Sequence, residues 1–158
     1  MKALFEITLR SPLPVISLVT PAAAATRGVA FQESAVAGVA ELADGTKPFA
    51  GFITRNSQVG GPSLGDVIYP GRLELPFPTG DMGSFENAAM FEVEGATFVD
   101  AGITGATALK TPLSFLAGKV CAAVAGQYVQ FSLVEQQVPA VPGNVRIRAI
   151  PIAAYQHA

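Results

Sequence analysis

The sequence is short of charge, cysteine and tryptophan. Only 14% of the 158 residues are charged, against about 25% in an average soluble protein, while half are apolar. This composition argues against a disordered chain and against a well-solvated lone monomer. Cys121 is the one cysteine, and its apolar neighbours predict a small buried side chain. A single thiol permits no internal disulfide. The fold must therefore be stabilised by packing.

Long uninterrupted segments are also missing. Sixteen Gly and twelve Pro are spread along the chain, and the longest stretch free of both is residues 127–138. That length excludes a long helical bundle and the roughly 20-residue apolar helix that spans a bilayer. The apolar residues repeat mainly with period 2, which is typical of short strands. The sequence predicts an all-β fold, a small β-barrel or β-sandwich of short antiparallel strands.

We predict that the chain consists of an extended N-terminal arm, residues 1–26, and a single β domain, residues 27–158. The arm is rich in Pro and Ala, and its first part alternates apolar and polar residues from Phe5 to Arg10. Pro12, Pro14 and the charges of Glu6 and Arg10 argue against a signal peptide. We expect synthesis in the cytoplasm.

Several strands follow from alternation and from turn signals. The most regular are residues 129–133 and 145–149, followed by residues 5–9, 29–31 and 49–54. The dipeptide Asp44-Gly45 predicts the tight turn of a hairpin, and residues 91–94 with 97–100 predict a second one. The Ala-rich residues 34–43 favour a strand, with one short helix as the alternative.

Charge is distributed unevenly. The net charge is −2, and the basic residues are scattered, so no nucleic-acid partner is predicted. Residues 73–109 hold six acids and no Lys or Arg. This block is either a solvated face or a docking patch for a basic surface, including the arginines of a neighbouring subunit.

One short segment of the sequence matches a motif of serine hydrolases. Residues 61–65, Gly-Pro-Ser-Leu-Gly, match the nucleophile elbow that places a serine such as Ser63 between a strand and a helix. Here polar residues precede the motif and a predicted strand follows it. His157, the one histidine, is the penultimate residue, in a region where chains usually fray. We therefore predict a protein that is not an enzyme and has no cofactor, metal site or membrane partner.

From Arg27 to Ile150 the chain resembles the capsid decoration, or cement, proteins of tailed bacteriophages. The resemblance lies in the short Ala/Gly/Val-rich strands, in residues 44–54 and 65–67, and in residues 126–130 with 144–148. It implies a protein of the outer capsid surface that stabilises contacts between major capsid proteins. It also implies a homo-oligomer, with a trimer favoured over a dimer, and no catalytic residues.

The expected partners are the major capsid protein lattice and further copies of the chain. Candidate contact residues are, in the arm, Phe5, Ile7, Leu9 and Arg10, which would add a strand to a sheet edge of a neighbour, and, in the acidic block, Glu92 and Glu94. The alternative function is an adhesion or carbohydrate-binding β-module.

Overall fold

The computed structural model describes residues 4–10, 16–19, 28–56, 82–86, 88–137 and 145–158. Within these ranges the regular structure is β throughout, with no helix, and so no helix that would cross a membrane. The strands are β1 Leu4–Arg10, β2 Ile16–Val19, β3 Ala30–Glu33, β4 Ala40–Leu42, β5 Phe49–Asn56, β6 Met82–Glu86, β7 Ala88–Glu94, β8 Pro112–Leu116, β9 Lys119–Ala122, β10 Tyr128–Gln137 and β11 Arg146–Gln156. The predicted all-β class is confirmed.

The strands form two antiparallel sheets. One has the order β1-β7-β11-β10-β8-β9, and the other has the order β2-β6-β5-β3-β4. Their inner faces share the main buried apolar core, and Phe31, Ala40 and Phe85 of the smaller sheet form a second, smaller cluster. The described strands leave both sheets open at their edges. Of the two architectures predicted, the β-sandwich is therefore the correct one.

Phenylalanines from both sheets form the centre of this core. Phe49 and Phe52 come from β5 in the smaller sheet, and Phe91, Phe115 and Phe131 come from the larger sheet. The rings of Phe49 and Phe115 stack with centroids 4.8 Å apart. Phe52 meets Phe91 edge to face at 5.0 Å. Such ring pairs add to the stability that apolar burial provides.

The two most regular predicted strands are confirmed and are neighbours. Residues 129–133 lie in β10 and residues 146–149 lie in β11, and the two strands pair antiparallel. Phe131, Leu133, Ile147 and Ala149 are buried, as alternation requires of the inward face of a sheet. The predicted strands at residues 5–9, 29–31 and 49–54 correspond to β1, β3 and β5.

The Asp44-Gly45 hairpin prediction is wrong in its pairing. β4 and β5 flank this turn, but β3 lies between them in the sheet. The turn is instead tied to β3 by the buried side chain of Gln32, whose Nε2 donates to Asp44 Oδ1 at 2.8 Å. The Ala-rich residues 34–43 form an irregular turn that becomes strand only in β4.

The second predicted hairpin, residues 91–94 with 97–100, is also wrong. After β7 the backbone N–H groups of Phe98 and Val99 both donate to the carbonyl oxygen of Gly95. This tight turn directs the chain to β9, where Val99 forms a parallel bridge with Val120. A local turn therefore replaces the pairing expected from alternation alone.

Two turns join the sheets to each other. The N–H of Gly118, in the turn between β8 and β9, donates to Ala43 O at 2.8 Å, and Ala30 N donates to Gly118 O at 2.9 Å. In the opposite direction, Gly45 O accepts from Tyr128 N at 2.7 Å. Gly118 has φ +78°, and a β carbon there would lie 2.3 Å from a methyl carbon of Val29. Any residue other than glycine at position 118 would have to push Val29 away from the turn.

Candidate interaction surfaces

The acidic block meets two arginines of its own chain. Glu92 lies opposite Arg148, and Glu94 lies opposite Arg146, in the register of β7 with β11. Phe91 and Val93 point into the core, so the alternation of strand side chains places Glu92 and Glu94 on the other face of the sheet.

Glu92 is held by both arginines. Arg148 donates from Nε at 3.2 Å and from Nη2 at 2.9 Å to Glu92 Oε2, and its Nη1 donates to Glu135 Oε2 at 2.7 Å. Arg146 pairs through Nη2 with the other oxygen of Glu92. The side chain of Glu92 is 3% exposed, whereas that of Glu135 is 44% exposed. Burying a carboxylate costs folding free energy, and the ion pairs and hydrogen bonds from the two arginines offset that cost.

This geometry changes the interpretation of the two predicted acidic contacts. Glu92 is buried, so its carboxylate is not available at the surface for a second chain. Glu94 is partly buried beside Arg146. The acidic block was predicted to be a solvated face or to meet a basic surface. The basic groups that meet Glu92 are in this chain, after the block.

The predicted arm residues lie on a sheet edge. Phe5 is in register with Val93, Ile7 with Phe91, Leu9 with Met90 and Arg10 with Ala88. β1 is thus the first strand of the larger sheet, paired with β7 of the same chain. Strand addition was the predicted mode, and here the edge belongs to the same subunit. A contact of this segment with another subunit stays a prediction.

The C-terminal half of β11 is an apolar surface that the sequence reasoning missed. Residues 151–156 are all exposed, including the large side chains of Ile152 and Tyr155. Other exposed large apolar side chains, Val36, Leu109, Leu116 and Val124, lie in turns or at strand ends. The signal available in the sequence was the uncharged run from residue 149 to residue 158, directly after Arg146 and Arg148.

The groups that resembled catalytic residues are not assembled in the part of the chain described. Residues 61–65 lie outside the described ranges. The backbone of His157 donates to Gln127 O and accepts from Gly126 N, both at 2.8 Å, so the expected fraying of the C-terminus is wrong. Cys121 is buried as predicted, and burial, together with the negative charge of Asp100, raises its pKa to about 11. Its thiol is therefore protonated at neutral pH.

A small polar cluster surrounds the Asp44 turn. Asp44 Oδ1 accepts hydrogen bonds from the backbone N–H of Thr46 at 2.8 Å and from its hydroxyl at 2.6 Å. Burial alone would raise the pKa of Asp44, but the hydrogen bonds from Thr46 and Gln32 outweigh it and lower that pKa. The pKa of Glu41 is lowered by hydrogen bonds from Gln32 and Lys47. Both carboxylates are used to hold the turn.

Comparison with known proteins identifies no relative: no protein-family model, no curated protein and no solved structure matches the chain.

Proposed function

We propose that this chain is a virion structural protein, a capsid decoration protein that binds the outer surface of a phage head and stabilises contacts between major capsid proteins. Its role is binding and not catalysis, and it acts as a homo-oligomer, with a trimer favoured over a dimer. The observation that carries the proposal is the exposed apolar end of β11, in a chain of which only 14% of the residues are charged.

Part of the charge of the chain is used in ion pairs within it. Of the 22 charged residues in the chain, six are engaged in ion pairs with each other in the described part: Glu41, Lys47, Glu92, Glu135, Arg146 and Arg148. A chain with little charge that uses about a quarter of it in internal ion pairs has less left for its exterior. Such a surface is suited to being covered by neighbouring subunits in an assembly.

Two of the four segments that resemble decoration proteins, residues 44–54 and 126–130, are in contact with each other. Phe49 N donates to Gln130 Oε1 at 2.6 Å, and Gln127 Nε2 donates to Asp44 O at 3.0 Å. Residues 44–54 and 126–130 thus form one region, where a turn of the smaller sheet meets the start of β10.

Binding to heads tests the proposal directly. Purified protein is mixed with DNA-free heads of the phage whose genome encodes the chain, prepared without the protein, and the heads are sedimented. We expect saturable binding at a fixed ratio to the major capsid protein and a higher temperature of head disassembly. A folded protein of similar size serves as the control for trapping. Absence of saturable binding at micromolar concentrations would overturn the proposal.

The alternative, a carbohydrate-binding β-module, predicts a different result. Such a protein binds particular glycans on an array and leaves head stability unchanged. Glycan binding without head binding would assign the chain to that class.

A further inference from the structure

The end of β11 is a preformed sheet edge. β11 continues for seven residues after Ala149, the last residue paired with β7, and we call residues 150–156 the C-terminal edge. β10 pairs with one side of this segment, from Ile150 to Gln156. No strand in the described ranges pairs with its other side. Residues 151–156 are all exposed, so the backbone of this edge is accessible.

The C-terminal edge lacks most of the usual protection. Soluble proteins place charged side chains, especially Lys, on exposed edges, because unpaired N–H and C=O groups recruit other strands. This segment contains no charged residue, and its protection is limited to Pro151 near its start and to the register irregularity at residues 152–154. Ile152 is 37% exposed and Tyr155 is 41% exposed. The edge thus offers both backbone groups and apolar area.

The edge is held in place before any partner binds. Gly126 N donates to His157 O and His157 N donates to Gln127 O, each at 2.8 Å. Gln156 Nε2 donates to Gly126 O at 3.1 Å. A strand fixed at its end loses little conformational entropy on association.

We propose that the partner of this edge is the same edge of a second copy, paired antiparallel about a two-fold axis close to Ala154. Pairing of identical strands in this direction is self-complementary. With Ala154 opposite its counterpart, Tyr155 faces Ala153 of the other copy, so a large side chain lies beside a small one. No like charges oppose each other, because the segment has none. Pro151 has no N–H to donate, so pairing ends there.

A register irregularity supplies the free backbone groups. Phe131 pairs with Pro151 and Val129 with Tyr155, so one residue of β10 lies opposite residues 152–154 of β11. These three residues cannot all be paired with β10. A second strand satisfies the donors and acceptors that remain.

The predicted contact is small. A specific interface of standard size buries about 1,600 Å² in total, and one short strand pair provides less. Association of free copies is therefore weak, and contacts of this kind gain strength when the copies are held on a repeating surface. The inference goes beyond the proposed function, because the pairing forms between free copies in the absence of heads. A two-fold contact is also separate from the contact that would build the proposed trimer.

Sedimentation equilibrium tests the pairing. The wild-type protein is compared with a double variant, Ile152→Lys and Tyr155→Lys, from micromolar to millimolar concentration. Val36→Lys is the matched control, because Val36 is an exposed valine in the turn before β4. We expect the mass of wild type and of the control to rise with concentration to at least twice that of the double variant. The mass of the double variant stays constant, because the lysines at position 155 of the two copies lie diagonally across the pairing and repel each other, and because the apolar contact area is lost. Circular dichroism checks that all three proteins are folded.

Cross-linking gives a second readout that needs no disruptive change. Ala154→Cys places a thiol close to the proposed axis, and Val36→Cys is its control. Cys121 is left unchanged in both variants, because its thiol is buried. Under mild oxidation we expect a disulfide-linked dimer for Ala154→Cys and a monomer for Val36→Cys.

The pairing is overturned by a wild-type mass that does not rise with concentration, or by an Ala154→Cys protein that forms no more cross-linked dimer than the control. Head binding of the double variant is measured separately. Failure of the wild-type protein to bind heads concerns the proposed function alone, and loss of self-association concerns this pairing alone.

Discussion

The carboxylate of Glu92 and the guanidinium of Arg148 lie opposite each other on β7 and β11 and are joined by hydrogen bonds of 3.2 Å from Nε and 2.9 Å from Nη2. Glu92 is 2% exposed, so the two arginines take the place of the water it loses. The pair also sets the register of the two strands. A shift of one residue would bring Glu92 into the core and leave the arginines without it.

Replacing Glu92 with Gln should be strongly destabilising. The change keeps the shape of the side chain but leaves Arg146 and Arg148 without their shared counter-charge. Breaking a buried ion pair costs about 3–5 kcal/mol. The two arginine side chains are each 34% exposed, so partial hydration reduces the expected loss to about 2–3 kcal/mol of unfolding free energy. Urea denaturation measures it.

Glu135→Gln is the control for this prediction. It removes a carboxylate paired with the same Arg148, but Glu135 is 44% exposed, and an exposed pair contributes less than about 1 kcal/mol. Equal losses for the two variants would show that burial of Glu92 is not what makes its pairing important.

Gly118→Ala tests the contact between the turn of β8–β9 and the smaller sheet. Gly118 and Gly38 both have φ +78°, but a β carbon at Gly118 would lie 2.3 Å from Val29 Cγ1, whereas at Gly38 it would meet nothing within 4 Å. The left-handed conformation alone costs about 1 kcal/mol, which is the loss expected for Gly38→Ala. The clash adds about 1–3 kcal/mol for Gly118→Ala. Thermal unfolding of both variants measures the difference, and similar values would argue against a tight turn contact.

Ala117→Asn should stabilise the protein. Ala117 precedes Gly118 in the two-residue turn and has φ +50°, a conformation that Asn adopts more readily than Ala. We expect a gain of about 0.5–1 kcal/mol in unfolding free energy. Ala125, which also precedes a glycine in a turn, does not have positive φ, so Ala125→Asn should give no gain. A gain of similar size at both positions would assign the effect to polarity.

The Asp44 turn predicts a dependence of stability on pH. Hydrogen bonds from Thr46 and Gln32 lower the pKa of Asp44 below its ordinary value of 3.8. A carboxyl group with a lowered pKa in the folded state stabilises that state fully above its ordinary pKa, and the contribution is lost as pH falls through the lowered pKa. The stability advantage of wild type over Asp44→Asn should be constant from neutral pH to about pH 5 and should shrink below about pH 4. Urea midpoints measured across this range test it, and a constant difference down to acid unfolding would contradict it.

The alternation along the chain was sufficient to find the central strands. Val129, Phe131 and Leu133 face the core from β10, and Ile147 and Ala149 face it from β11. These assignments are secure from sequence because burial on one face of a sheet imposes a period of two on the residues. The same reasoning does not find which strands pair. The Asp44-Gly45 turn has the local chemistry of a hairpin, but β4 and β5 on its two sides do not pair with each other. Hydrogen bonds from Gln32, 12 residues before Asp44, tie the turn to β3 instead.

By itself, the sequence determined that the chain is all-β, that it has no internal disulfide and that it is short of charge, because composition and periodicity are local properties of the chain. Only the tertiary structure decided where the charge is used. Glu92 and Arg148 are 56 residues apart, and nothing in their local sequence indicates that strand register brings them into contact. The same holds for the C-terminal edge, because exposure depends on which strands lie beside residues 150–156, and pairing between distant strands is a property of the folded chain.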